Sequence, residues 1–288
     1  MRTRFAPSPS GLLHIGNAYS ALICQQWQQH NHAELLLRIE DIDHNRCKPE
    51  WITAIFEDLE WLGIPFSTPI LQQSLRTAHY QYALDQLQNL GVIYACNCTR
   101  KSIQAEIERM GVAPHLDDPH IFYPGTCREQ HKEETANTAW RLNIEKAHAL
   151  LNAELSWKDE CQHYPVNWQQ QSDPVIGRKD IGFSYHLASV VDDAEQQITH
   201  IIRGEDLRPF APLHRILQSL LQLPEPTYIH HPILCDMQGN RLCKRHHAPT
   251  LQSLRQQGQN VQQLRERLYQ SMANHLWNHG DFYSAIAD

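Results

Sequence analysis

Apolar residues along this chain alternate between strand-like runs and helix-like spacing. Arg4-Phe-Ala leads into Pro7, Pro9 and Gly11, so a short strand is predicted to break at the prolines and turn at the glycine. A helix then opens at Gly16, where Ile15, Ala18, Tyr19, Leu22 and Ile23 recur every three or four positions and make one apolar face. Glu34 to Glu40 is nearly all apolar, the composition of a strand buried on both sides. A strand, helix, strand order with so short a crossover implies a right-handed parallel unit. Pro49 suits a first helical position, and Ile52, Ile55, Phe56 and Leu59 line one face up to Gly63, a natural stop. Another helix is predicted from Ser74 to Leu90, ending at Gly91, and a strand from Val92 to Ala95.

From Cys96 to about residue 170 the pattern weakens into a polar stretch rich in His, Glu and Gln, which reads as an insertion into the main fold. That fold resumes near Phe183, with Leu187 to Val191 predicted as a strand running into Asp192-Asp193. Ile198 to Arg203 is another strand, and Leu213, Ile216, Leu217 and Leu220 mark an amphipathic helix. The glutamine-rich segment from Thr250 onward is predicted helical. The fold class is therefore α/β, a Rossmann-like parallel-sheet domain in two halves (1–95 and 171–245), an insertion over 96–170 and a helical C-terminal region over 246–288. No internal repeat is evident.

At 288 residues the chain has ample material for a core. Hydrophobic content of 41% and charged content of 20% are those of a soluble globular protein. There is no apolar run of membrane-spanning length and no positive-then-apolar leader, so no membrane partner and a cytoplasmic home are expected. The net charge of −7 confines any nucleic-acid binding to a local basic face.

The sharpest chemistry lies at the first turn. A strand-to-helix turn aims backbone N–H groups and a positive dipole end at whatever binds there, which suits phosphate. His14 and Asn17, three apart at the helix start, can face one bound group, although a histidine that merely caps the helix is the plainer reading. Arg38-Ile-Glu40-Asp41 puts a dense run of charge at the end of the second strand, where ligands of parallel α/β sheets bind. Far downstream, Gly239-Asn-Arg241-Leu-Cys243-Lys244-Arg245 is a cationic loop able to stabilise charge on a transferring phosphate. His230-His231 and His246-His247 are poor chelating pairs, because adjacent strand residues point to opposite faces, and read as surface or RNA-facing.

Eight cysteines in a long chain without a leader do not make a disulfide framework. Cys96-Asn-Cys98, followed by Cys127, suits a tetrahedral zinc, which in a structural role needs a fourth ligand. His115, His120 and His131 are the chemical candidates for it.

The two phosphate-facing motifs, in this order and separated by most of the chain, resemble the signatures of class I aminoacyl-tRNA synthetases of the glutamyl and glutaminyl group. The resemblance runs from residue 3 to about residue 250, and the expectation is that the anticodon-binding domain of those enzymes is absent. That truncation, with the cysteine pattern, is similar to one subfamily, whose members activate L-glutamate with ATP and place it on queuosine, a modified base in the anticodon loop of tRNA(Asp). The resemblance implies that Arg4, Ser8, Glu40, Tyr185 and Arg203 bind glutamate, and that ATP with Mg2+ lies over Gly11, His14, Gly16 and Asn17. His14, Asn17 and Lys244 are the implied catalytic residues, with Lys244 reaching the phosphates. One zinc per chain on Cys96, Cys98, Tyr123 and Cys127 and a monomeric state complete the expectation. Asn17 stands where the first signature has its last His, Arg241 and Cys243 depart from the second, and Ser189 stands where glutamyl synthetases usually carry Asn. The competing functions are ordinary charging of the tRNA 3′ end by a shortened glutamyl-tRNA synthetase and a non-catalytic RNA-binding paralogue.

Overall fold

A computed structural model describes residues 1–110, 123–130, 135, 138–152, 154–234 and 249–273. In chain order the elements are β1 (Arg2–Phe5), α1 (Ile15–His30), β2 (Glu34–Ile39), α2 (Pro49–Trp61), β3 (Ser67–Gln72), α3 (Thr77–Asn89), β4 (Ile93–Cys96), α4 (Arg100–Met110), β5 (Ala139–Leu142), α5 (Ile144–Leu151), β6 (Ser156–Asp159), β7 (Gln162–Pro165), β8 (Val175–Arg178), β9 (Gly182–Phe183), α6 (Tyr185–Glu195), β10 (His200–Gly204), α7 (Ala211–Leu220), β11 (Thr227–His231), α8 (Leu251–Gln256) and α9 (Val261–Ala273). They form two compact units. The first comprises Met1–Leu75, Gln197–Pro209 and Pro226–Asp288; the second comprises Arg76–Gln196 and Phe210–Glu225.

The first unit is parallel α/β. β1 pairs with β2 so that Arg4 lies opposite Leu36, and β2 pairs in turn with β3, both parallel. β10 runs alongside β1: the Thr199 N–H donates to the Arg2 carbonyl at 3.0 Å, and Arg4 Nη1 to the Ile202 carbonyl at 3.4 Å. β11 continues parallel to β10. Leu35, Leu37 and Ile39 of β2 are buried with Ile15, Ala18, Tyr19 and Leu22 of α1, as the spacing predicts. Leu251, Leu254, Leu264 and Leu268 join the same core, so the C-terminal helices over these residues are part of the first unit.

On α2 the buried stripe is Ile55, Asp58 and Leu59, continued by Leu62 at the C-cap, while Phe56 is 38% exposed and Ile52 only half-buried. The predicted face is thus rotated, and it carries a carboxylate. Asp58 sits 3.4 Å from Arg255 Nη2, and burial pushes its pKa up to about 6 despite that cation. A carboxyl whose folded pKa lies above its unfolded value holds its proton more tightly when folded. Its contribution is complete below about pH 4 and is lost as pH rises through about 6. Asp58→Asn is therefore expected to stabilise the protein at pH 7.5 by on the order of 1–3 kcal/mol and to flatten the pH dependence of thermal melting in that window. A lower melting temperature than the parent at pH 7.5 would show that the Arg255 pair outweighs the burial cost.

The second unit holds a four-stranded antiparallel sheet in the order β4-β5-β8-β9 and the antiparallel hairpin β6–β7, with α3 packed on α6 and α6 on α7. Leu187 to Val191 is not a strand but the middle of α6. Ser184 caps that helix, its side chain accepting from the Leu187 N–H at 3.3 Å. A short apolar run reads equally as buried strand or buried helix, and the cap residue decides. Asp192 is fully buried on α6, where it accepts from Arg76 Nε and the Tyr80 hydroxyl, each at 2.8 Å.

Candidate active site and metal centre

In the first unit the residues in question gather at the carboxyl ends of the parallel strands. Beyond β1, Gly11 has φ +147, a conformation that favours glycine. Prolines lack an N–H but keep the carbonyl. Two of these carbonyls staple the turn to the exit of β2: Glu40 N–H donates to Pro7 at 3.0 Å and Lys48 N–H to Pro9 at 3.3 Å. His14 is the N-cap of α1. Its Nδ1 accepts from the Gly16 N–H at 3.1 Å, and Asn17 Oδ1 accepts from the His14 N–H at 3.0 Å, a reciprocal capping box. The capping role and the ligand-facing role therefore fall on the same two side chains.

The C-terminal segment closes on this turn. Ile15 N–H donates to the Pro249 carbonyl at 3.3 Å, Leu251 N–H to the Leu13 carbonyl at 2.9 Å, and His14 and Thr250 form an antiparallel bridge. Leu234 is buried in the same core as Leu13 and Leu251. Arg241, Cys243, Lys244 and Arg245 lie outside the described residues, as do His246 and His247. The chain on either side of them, however, is anchored beside the first turn.

Arg4 is buried on β1. Glu40 accepts from Arg38 Nε at 3.3 Å and Nη2 at 3.0 Å, and this Arg38 is wholly buried. Glu40 is thus held in an ion pair with the buried Arg38. Ser8 is exposed, its hydroxyl 3.8 Å from Cys47 Sγ. Asp41 is structural: its carboxylate accepts from the Ser74 N–H at 2.8 Å, the Ser74 hydroxyl at 2.7 Å and Gln72 Nε2 at 2.6 Å. Arg203, at the end of β10, is buried and donates from Nε to His230 Nε2 at 3.1 Å. Tyr185 belongs to the second unit, as the first residue of α6, with its ring 5.5 Å from that of His186 and 5.8 Å from that of His214. Ser189, one turn further along α6, is buried.

Of the His230-His231 pair, His231 is buried and His230 is half-buried. Strand alternation sends the two rings to opposite faces, His230 to Arg203 and His231 into the core beside Tyr19. His231 Nδ1 donates to the Pro232 carbonyl at 2.8 Å, Nε2 lies 3.0 Å from the Ser20 hydroxyl, and burial holds the imidazole pKa below its ordinary value. Strand alternation in the sequence already carried this signal; only the burial of the His231 face was missing from it.

In the second unit Cys96 ends β4, and the sulfurs of Cys96, Cys98 and Cys127 lie within 4.8 Å of one another, a group able to hold a metal ion. The Tyr123 hydroxyl lies among them, 3.5 Å from Cys96 Sγ and 3.6 Å from Cys98 Sγ, and accepts from the Cys127 N–H at 2.9 Å. Arg141 Nε donates to Cys96 Sγ at 3.3 Å while its guanidinium covers the Tyr123 ring at 3.7 Å. Burial pushes the Cys98 thiol up to about 11 and the Tyr123 phenol upward as well, so without a cation these two groups stay protonated. A bound metal inverts that preference. His115, His120 and His131 lie outside the described residues. All six described cysteines are free thiols, and among the described residues no helix is long and apolar enough to cross a membrane.

Residues 1–280 match the family model described as tRNA synthetases class I (E and Q), catalytic domain. The parallel strands and the capped first turn, closed by Pro249–Leu251, are those of a catalytic domain of that class. Within it, the chain is 38% identical over 266 residues to the glutamyl-Q tRNA(Asp) synthetase of Rhodobacter capsulatus, covering 90% of this chain and 96% of the relative. It is 36% identical over 276 residues to the protein of the same name from Nitratidesulfovibrio vulgaris, covering 90% and 82%. The chain belongs to the glutamyl-Q tRNA(Asp) synthetase family. Its fold is similar to a glutamate tRNA ligase of Elizabethkingia meningosepticum, solved in complex with its amino acid, with TM-score 0.70 and 28% identity over 85% of this chain. The match spans 52% of that ligase. A methionyl-tRNA synthetase of Mycobacterium tuberculosis, 12% identical with TM-score 0.58, shares the fold, the match covering 93% of this chain and 63% of that one.

Proposed function

We propose that this protein uses ATP to activate L-glutamate and transfers it to queuosine in the anticodon loop of tRNA(Asp). The observation that carries the reading is the gathering, at the carboxyl ends of the parallel strands β1, β2 and β10 of the first unit, of Arg4, Glu40 and Arg203, beside the capped turn of His14 and Asn17. Glutamate has two carboxylates and one ammonium group. Arg is the best bidentate partner for a carboxylate, and Glu40 supplies the anion for the ammonium. Ser8 adds a hydroxyl contact.

ATP, with Mg2+, lies over Gly11, His14, Gly16 and Asn17. A carboxylate oxygen of glutamate attacks the α-phosphorus, the bond to the β-phosphate oxygen breaks, and pyrophosphate departs. Charge grows on the phosphorus oxygens and on the leaving group, where the helix N-terminus, His14, Asn17 and Lys244 stabilise it. No side-chain nucleophile takes part; positioning and electrostatics suffice, as in phosphoryl transfer generally. The acceptor on queuosine then attacks the glutamyl carbonyl carbon and AMP leaves. ATP and tRNA as substrates put the reaction in the cytoplasm.

The thiol cluster holds one zinc in this reading, on Cys96, Cys98, Cys127 and Tyr123. Zinc–sulfur bonds of about 2.3 Å and a zinc–oxygen bond of about 2.0 Å in a tetrahedron require sulfur–oxygen edges of roughly 3.5 Å. The two cysteine-to-Tyr123 distances, 3.5 and 3.6 Å, support Tyr123 over a histidine from elsewhere. Zinc at this place ties β4 to the loop of Cys127 and performs no step of the reaction.

The test is transfer of labelled glutamate, with ATP and Mg2+, to tRNA(Asp) bearing queuosine, to the same tRNA lacking the modification, and to queuosine-bearing tRNA(Asp) stripped of its terminal adenosine. Label is expected on the first and third and not on the second. Label that requires the terminal adenosine instead would mean ordinary 3′ charging, and no label on any tRNA would mean a non-catalytic role.

A further inference from the structure

We infer that His230 is a positioning residue for amino-acid recognition, acting through Arg203; the inference rests on the reading of Arg203 as a glutamate ligand. Arg203 and His230 are direct partners in the parallel register of β10 and β11. The Arg203 Nε–H donates to His230 Nε2 at 3.1 Å. The guanidinium carbon also lies 4.8 Å from the centre of the Tyr228 ring. Tyr228 and His230, two apart on one face of β11, hold their rings nearly parallel, with an interplanar angle of 3° and centroids 5.8 Å apart. The two rings make a platform, and Arg203 is fastened to it at one point by a hydrogen bond and at another by its face.

A guanidinium is a rigid planar fork, so fixing Nε–H in one direction fixes the plane in which the Nη pair presents itself to a carboxylate. The accepting nitrogen must carry its lone pair, which makes His230 the neutral Nδ1–H tautomer. An imidazolium there would offer a donor to a donor and place two cations in contact. Arg203 is buried, so losing the acceptor leaves its inner N–H to find another direction, and the fork turns with it. His230 therefore acts on glutamate and not on ATP.

The experiment compares His230→Ala, His230→Gln and Arg203→Lys in ATP–pyrophosphate exchange with the tRNA present, alongside thermal melting. His230→Ala is expected to raise KM for glutamate about tenfold or more, the cost of one hydrogen bond to a charged group, with KM for ATP unchanged. His230→Gln is expected to recover most of the loss, because its Oε1 accepts at about the place of Nε2. Arg203→Lys keeps the charge but not the fork, and raises KM for glutamate. If Arg203→Lys raises that KM while His230→Ala leaves it untouched, the positioning role is wrong and the glutamate reading stands. If Arg203→Lys has no effect on it, the reading of Arg203 itself fails. Should His230→Ala not fold, His230→Gln decides: a glutamate KM as high as that of Arg203→Lys, in a folded protein, would overturn the requirement for an acceptor.

Discussion

Glu40→Gln is expected to lower kcat/KM for glutamate by about 10²- to 10³-fold, since removing one member of a buried charge pair costs roughly 2–5 kcal/mol. Two causes act together. The ammonium group of glutamate loses its anion, and the buried Arg38, now paired with Glu40 at 3.0 Å, loses its counter-charge. The second effect also costs stability, because a buried cation stripped of its partner destabilises by about 3–5 kcal/mol. Kinetics on the folded fraction at a temperature well below the midpoint separates the two. A folded Glu40→Gln protein with an unchanged KM for glutamate would reduce Glu40 to the structural partner of Arg38.

Cys127→Ala is expected to abolish metal binding and lower the thermal midpoint. Structural zinc contributes up to about 10 kcal/mol or more of folding free energy in small domains. Here it would act on the second unit, where Cys127 is tied to Tyr123 and Cys98. Metal analysis of the purified parent should give about one zinc per chain, and of the variant close to none. Tyr123→Phe should keep the metal but release it to a chelator faster, since three thiolates remain. Less than about half a zinc in the parent, or an unaltered midpoint in Cys127→Ala, would leave the cluster as packed thiols.

Much of the first unit was legible along the chain because its signals are local. Proline and glycine set the turn after β1, the three-and-four spacing of Ile15 to Leu22 defined α1, and a continuous apolar run marked β2 as doubly covered. The cysteine spacing was equally local. Two elements were misread for one reason, that a short apolar segment does not state which partner will cover it. Leu187 to Val191 became helical because Ser184 caps it and the start of α3 offers Asp192 two donors, Arg76 at its N-cap and the buried Tyr80. On α2 the stripe turned to bury Asp58 in place of Phe56, with Arg255 of α8 beside it at 3.4 Å. No window of local sequence contains Arg255.

By itself, the sequence determined the residue types a glutamate- and ATP-handling site needs and the order in which they occur, because motif chemistry depends on neighbours a few residues apart. Only the tertiary structure decided which side chains those residues lean on. The capping box joins His14 to Asn17, Pro249–Leu251 closes on the first turn, Arg38 takes Glu40, and His230 takes Arg203. The longer of these contacts join segments far apart in the chain, and a hydrogen bond between distant residues exists only once parallel strands have set their register. That register is a property of the packed sheet, so the pairing of Arg203 with His230 could be read only there.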